Sequence, residues 1–298
     1  MGRDTDRLNI VSMNSSGRKG SHYQNFRKPI LEQIIGDEEP DIMVLPGDQL
    51  DMRSKILSEY KQATVEHNND TVLLYDTKRL RLKSPGASGF LPSLVIPEVD
   101  NNKMAYPLVD ILAPQPTQHV VKEFQIVTWH YELTQNTSQE LYRFALRYVW
   151  LAQYLAFVSG VEVLITGDFN LPLGTLQELL DQHNKLIQGD INNVKPFFRE
   201  MGFLDEMTDN VFRPGRRLRQ LKPVKCKARP NISENEYFVA SKEMQLCKTE
   251  TLEKFEQPVR RASISICNAQ SPVVQSYCPA PTRTQMNIPS RPPRHNGG

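Results

Sequence analysis

Residues 141–158, L-Y-R-F-A-L-R-Y-V-W-L-A-Q-Y-L-A-F-V, lead through Ser159-Gly160 into a second apolar run, V-E-V-L-I-T at 161–166. Leu141, Phe144, Ala145, Tyr148, Val149, Ala152, Leu155 and Ala156 recur at helical spacing, so one face of this helix has to be covered. Gly160 stands where a helix C-terminus is relieved by a left-handed residue. The run that follows is too short for a helix and reads as a buried strand. A chain that passes from a long amphipathic helix into a buried strand calls for packed layers of both kinds.

The same mixture recurs on both sides. Leu8–Met13 reads as a strand, 26–35 as a helix with Phe26, Ile30, Leu31, Ile34 and Ile35 on one face, and Ile42–Leu45 as a strand behind Pro40-Asp41. Thr71–Tyr75, Ala105–Leu112 and Phe124–Trp129 read as strands, the last two separated by a proline-containing turn at 113–116. Thr175–Ile187 is a further helix, and Glu236–Ala240 and Ser271–Tyr277 are short strands. No internal repeat is present. A single α/β domain over residues 1–278 accounts for this pattern. Residues 279–298 hold five prolines and three arginines without one acid, a composition that builds no core and predicts a disordered tail.

Composition closes off several classes. With 39% hydrophobic and 23% charged residues the chain is globular rather than disordered. No apolar run nears the roughly 18 residues that a membrane span needs, and the charged N-terminus M-G-R-D-T-D-R lacks the form of a secretory signal. An intracellular protein of the nucleus or cytoplasm is expected, with Cys226, Cys247, Cys267 and Cys278 reduced. None of the four forms a C-x-x-C pair, which disfavours a zinc site. The net charge of +2 means that attraction to a polyanion has to come from a local patch.

The most specific stretch is L-I-T-G-D-F-N at 164–170, a carboxylate and an amide two residues apart at the end of an apolar strand. It stands in an ordered set with N-I-V-S-M-N-S-S-G (9–17), E-P-D-I-M-V-L (39–45), T-V-L-L-Y-D-T (71–77), V-T-W-H-Y-E-L (127–133), G-F-L-D-E (202–206), E-Y-F-V-A-S (236–241) and S-P-V-V (271–274). This set resembles the endonuclease/exonuclease/phosphatase superfamily, whose members include the exonuclease III and DNase I types of enzyme. The resemblance implies a DNase I-like α/β fold, a four-layer α-β-β-α sandwich of two mixed sheets. It also implies Mg²⁺- or Mn²⁺-aided phosphoester hydrolysis, which needs a hard cation, a positioned water and a base.

Carried over residue by residue, the resemblance makes Asp168 the group that orients or deprotonates the attacking water. Asn170 and Asn14 become phosphate and metal-positioning groups, and His130 a donor to the phosphate. Three of the family's groups are missing. Gly47 stands where its metal glutamate is expected, with Asp48 one residue later as a displaced acid. Asn268-Ala269-Gln270 occupies the place expected for its closing Ser-Asp-His. No histidine lies between His183 and His295, and no aspartate follows Asp209. Glu236 is left as an acid with no histidine to orient. A cation held by one carboxylate is weakly bound, and each lost acid or base costs roughly a hundredfold to ten-thousandfold in rate.

Residues 213–229 form the strongest charge feature: Arg213, Arg216, Arg217, Arg219, Lys222, Lys225, Lys227 and Arg229, with no acid. A basic loop there is expected to contact phosphates of a nucleic acid or other polyanion without reading its sequence. Arg260-Arg261-Ala262-Ser263 has the form of a basophilic kinase site. Three functional readings follow. The first is an impaired pseudonuclease that binds nucleic acid or a protein partner and needs no cofactor. The second is a Mg²⁺- or Mn²⁺-dependent phosphodiesterase using Asp168 with Asp48, and the third is a protein-interaction scaffold without polyanion affinity.

Overall fold

The computed structural model describes residues 7–13, 28–46, 60–63, 71–83, 104–113, 116–130, 138–188, 218–224, 236–251 and 259–265. In chain order its elements are β1 (Arg7–Met13), α1 (Lys28–Glu38), β2 (Ile42–Pro46), β3 (Tyr60–Ala63), β4 (Thr71–Asp76), β5 (Leu80–Lys83), β6 (Met104–Ala105), β7 (Leu108–Leu112) and β8 (Val120–His130). There follow α2 (Ser138–Ser159), β9 (Glu162–Asp168), α3 (Leu173–Leu186), β10 (Leu221–Val224), β11 (Glu236–Ser241), β12 (Leu246–Thr251) and β13 (Val259–Ser265).

Two mixed sheets result. One has the order β12-β13-β1-β2-β4-β3, with β1 and β2 parallel. The other runs β10-β11-β9-β8-β7-β5, with β8 and β9 parallel and β6 added beside β8. The two-residue period of the strands sorts the apolar side chains into layers. Leu8 and Ile10 of β1, Ile42 and Val44 of β2, Phe124 and Ile126 of β8, Leu164 of β9 and Phe238 of β11 share the core between the sheets. The alternate residues Val11, Met13, Met43 and Leu45 pack on Leu31, Ile34 and Ile35 of α1. Val127, Val163, Ile165 and Val239 pack under α2 and α3. The four-layer α-β-β-α sandwich expected from the sequence is therefore present. Each fully buried side chain of this kind contributes roughly 1.5–3 kcal/mol.

The ends of the elements follow local rules. Gly160 has φ 73° and nothing would touch a Cβ there, so its backbone conformation is what calls for glycine. The Val161 N–H donates to the Ala156 carbonyl at 3.0 Å, the outer bond of a Schellman cap, and turns the chain directly into β9. The expected strand 105–112 is two strands, because Pro107 has no N–H to donate and interrupts the ladder between β6 and β7.

Several strands escaped the periodic reading: β3, β5, β10, β12 and most of β13. Four are short edge strands with polar residues, as edges usually are. β10 corrects the expectation that residues 213–229 form one basic loop, since Leu221 and Val224 are buried and pair with β11. Its outer edge is closed by Asn184 of α3, whose Nδ2 donates to the Leu221 carbonyl at 2.7 Å while its Oδ1 accepts from the Leu221 N–H at 2.9 Å. Arg260–Ser263 lies within β13, paired on one side with β1 and on the other with β12. A kinase needs an extended free segment, and this backbone is already committed.

The described residues all fall within one compact unit, Met1–Ile266. The boundary expected at 278, the strand expected at 271–277 and the tail 279–298 lie outside the described residues. Among the described residues no helix is long and apolar enough to cross a membrane.

Candidate active site

Which strand ends meet is decided by a charged clamp. Asp41, fully buried at the head of β2, accepts from Arg79 Nη1 at 2.9 and 3.0 Å and from the Asn9 N–H at 2.7 Å. Arg79 Nη2 also donates to the Arg7 carbonyl at 2.8 Å. Arg79 sits in the three-residue turn by which the chain leaves one sheet at Asp76 and enters the other at Leu80. Its carbonyl accepts from the Leu112 N–H at 2.8 Å. The heads of β1 and β2 and the end of β7 are thereby held at one pole. The parallel pairs β1–β2 and β8–β9 then deliver their C-terminal ends together at the other.

At that second pole stand the strand ends that carry His130 and Asp168. β8 ends at His130 and β9 at Asp168, and the two residues are register partners. On the other side Asp168 is the register partner of Glu236, the first residue of β11. One row across three strands therefore reads His130, Asp168, Glu236. Asn14 follows directly on Met13 at the end of β1, and Asp48 comes two residues after Pro46 at the end of β2. Both lie outside the described residues.

The G-D-F-N turn is held from both sides. Gly167 has φ 144° and Asn170 φ 50°, the latter a left-handed conformation that asparagine tolerates better than most residues. Phe169 and Leu171, flanking Asn170, are buried in the core under α2 and α3. The strained residue is thus pinned between two apolar anchors, an arrangement that persists where surrounding packing over-determines it.

One row deeper the core between the sheets turns polar. Thr128 and Thr166 are register partners and both are buried. Ser12, two residues before Asn14, is buried on β1 with the parity of Leu8 and Ile10. Ser12 Oγ and Thr166 Oγ1 have no hydrogen-bond partner among the described residues. Neither hydroxyl carries a signal in the sequence, because only the packing of the two sheets reveals that both are enclosed.

The basic run is split by β10. Arg219 Nη2 reaches the Gly160 carbonyl at 3.5 Å, and its backbone bonds the Gln153 side chain in both directions. Lys222 Nζ reaches the Lys242 carbonyl at 3.4 Å. Leu221 pairs with Ser241, whose Oγ bonds the Val163 backbone, so this end of β10 lies beside the start of β9. Five strand residues, about 16 Å, separate Val163 from Asp168. Arg219 and Lys222 are therefore remote from the row. Lys225, Lys227 and Arg229 follow Val224, the partner of Phe238 two residues from Glu236. Those three, with Arg213, Arg216 and Arg217, lie outside the described residues.

β13 also moves the closing segment. Val259 pairs with Met13 and Ser265 with Arg7, so the chain meets the site pole where it enters β13 and leaves it behind by Ser265. Asn268 lies at most about 11 Å of chain beyond Ser265, whereas Arg7 and Met13 stand about 20 Å apart along β1. Asn268-Ala269-Gln270, outside the described residues, was expected to close the site. The stretch that precedes Val259 in sequence is 252–258, L-E-K-F-E-Q-P, which lies outside the described residues. It too lacks aspartate and histidine, so the closing Asp-His pair is missing from either position.

The row sets the backbone positions of two carboxylate-bearing residues and one imidazole-bearing residue on three adjacent strands. Among the described residues no group of three or more His, Cys, Asp or Glu is placed to hold a metal.

No family model matches the chain, and no curated protein matches it by sequence. Solved structures do match. The catalytic domain of human Nocturnin with a bound sulfate anion is 13% identical, with a TM-score of 0.55 over 87% of this chain and 94% of that one. D. rerio TDP2 complexed with a single-stranded DNA product is 14% identical, with a TM-score of 0.51 over 87% of this chain and 99% of that one. An endonuclease/exonuclease/phosphatase from Bacteroides vulgatus is 12% identical, with a TM-score of 0.52 over 87% of this chain and 98% of that one. At such identities the likeness is one of fold.

Proposed function

From the endonuclease/exonuclease/phosphatase fold, which this chain adopts, we infer that it is a catalytically impaired, nuclease-derived protein that binds phosphate-bearing polyanions at the pole around Asp168. The observation that carries this reading is a partial assembly. Asp168 and His130 share one row and Asn170 follows in the same turn, while β2 leads into Gly47 where the resembled family supplies a metal glutamate. Binding groups are thus retained next to a gap in the chemistry. Structures alike in fold hold a sulfate anion in one case and a single-stranded DNA product in another, which makes nucleic acid the first ligand to test. A divalent cation bound at the pole would neutralise phosphate charge. The protein's own residues would supply hydrogen bonds from Asn14, Asn170 and His130 and a carboxylate at Asp168 to orient water.

A second reading, an active Mg²⁺- or Mn²⁺-dependent phosphodiesterase, is favoured by one feature, the acid Glu236 in register with Asp168. Incubation of the full chain with single- and double-stranded DNA, RNA and a generic phosphodiester in Mg²⁺ or Mn²⁺, beside Asp168→Ala, separates the two. Oligonucleotide retention without turnover supports impairment. Metal-dependent cleavage abolished by Asp168→Ala overturns it. Absence of both cleavage and oligonucleotide binding leaves the protein-interaction scaffold.

A further inference from the structure

Ser12 of β1 and Thr166 of β9 are each 1% exposed, and among the described residues neither Ser12 Oγ nor Thr166 Oγ1 has a hydrogen-bond partner. A buried hydroxyl left unpaired is costly, and nearly all are satisfied by protein or by ordered water. Strand parity puts both on the inner faces of the two sheets, Ser12 two residues after Ile10 and Thr166 two after Leu164, with Ile10 and Leu164 in the shared core. β1 and β9 run towards the same pole, so the same step carries both hydroxyls into the next layer. Their register neighbours in that layer are Val44 beside Ser12, and Thr128 and Phe238 beside Thr166. Facing sheets pack about 10 Å apart. Leucine, isoleucine and phenylalanine side chains fill that space in the layers below, but a serine or threonine hydroxyl reaches only one bond beyond Cβ. The two hydroxyls therefore cannot meet across the gap, whereas one water bonded at about 2.8 Å on each side spans about 5.6 Å. A buried water needs roughly two to four polar partners, of which Ser12 and Thr166 supply two.

We propose that Ser12 and Thr166 hold an internal water that bridges the two sheets beneath the Asp168 end of β9. The sheets are then joined at both ends, by the Asp41–Arg79 clamp at one and by a hydrogen-bonded water at the other. The bridge sets the spacing between the C-terminal ends of β1 and β9, where an apolar layer of small side chains would leave a void. It stands on the packing of the two sheets and does not depend on what the pole binds.

The test is ¹⁷O magnetic relaxation dispersion of the full-length protein, which counts waters held longer than the molecule takes to tumble. The wild type should show long-lived water. At least one such water should be lost in Thr166→Val and in Ser12→Ala, since either change leaves it one partner short. Thr166→Ser keeps the hydroxyl and should retain the water. Ser241→Ala is the control: its hydroxyl bonds the Val163 backbone directly at 2.8 and 3.2 Å, so its loss should lower the melting temperature and leave the dispersion unchanged. Thr166→Val should lower the melting temperature by about 2–4 °C. The double variant Ser12→Ala with Thr166→Val should lose less than the sum of the singles, because both remove the same water. A wild type without long-lived water, or a folded double variant with the wild-type dispersion, overturns the bridge. So does a raised melting temperature in Thr166→Val, which would mean that a dry, unpaired hydroxyl had been removed, and so do strictly additive losses.

Discussion

His183 makes the acid stability of this protein calculable. It lies on α3 with no exposed surface, its ring centroid 4.5 Å from that of Trp150 of α2 at a 53° tilt. Nδ1 stands 3.3 Å from Asn184 Oδ1, and Nε2 has no hydrogen-bond partner among the described residues. Burial lowers its pKa to about 4, against a weaker opposite pull from Asn184. In the unfolded chain the same group titrates near 6.5. Between these values the unfolded state takes up a proton that the folded state refuses, so stability falls as the pH falls. The contribution is complete above pH 6.5 and lost by pH 4. At about 1.4 kcal/mol per pKa unit the whole span is worth roughly 3 kcal/mol, most of which is lost by pH 4.5.

Asp110 acts in a different window. Burial pushes its carboxyl up, but hydrogen bonds from Lys83 and Arg81 outweigh this and hold its pKa below the usual value. Its contribution is therefore lost only as the pH falls below about 3.8. The assay is urea unfolding at pH 7.5 and 4.5 of the wild type and His183→Gln. The variant pays its own packing loss against Trp150 at both pH values, so only the change with pH is compared. The wild type should lose about 2–3 kcal/mol more than the variant. Parallel pH profiles would refute the reasoning, because groups common to both proteins cancel.

Two further outcomes follow from the same geometry. Arg79→Met should destabilise the protein by about 3 kcal/mol, since it strands a fully buried Asp41 carboxylate. This is at the lower end for a buried pair because Arg79 is 16% exposed. A melting point lowered by about 6–12 °C would register it. In a double-mutant cycle, Asp41→Asn with Arg79→Met should cost less than the sum of the two singles, and additivity would deny the clamp. For the basic run, replacing Lys225, Lys227 and Arg229 by glutamine should flatten the salt dependence of oligonucleotide affinity by about one contact per phosphate lost. The change Arg219→Gln with Lys222→Gln should leave that slope unaltered, and the opposite ranking would move the polyanion away from Asp168.

The sequence carried the layers of this fold because burial leaves a period in the chain. The helical spacing from Leu141 to Ala156, the alternation through Leu8, Ile10 and Val11, and the Gly160 cap are local consequences of which side faces the core. The G-D-F-N turn was legible for the same reason: its glycine, its left-handed asparagine and its apolar anchors occupy consecutive positions. What stayed hidden depends on pairing between distant segments. β10 and β12 are short edges without a period, and β13 has arginines at its centre. Nothing local shows that Val259 rather than Ser271 enters the pole beside Met13. Glu236 had no visible neighbour in the sequence until antiparallel register set it beside Asp168, and Arg219 looked like a groove residue until β10 carried it to the other end of the sheet. Composition and periodicity determine what must be buried, whereas strand register and the Asp41–Arg79 clamp decide which polar residues meet. Register is a relation between strands, and no single stretch of sequence contains it.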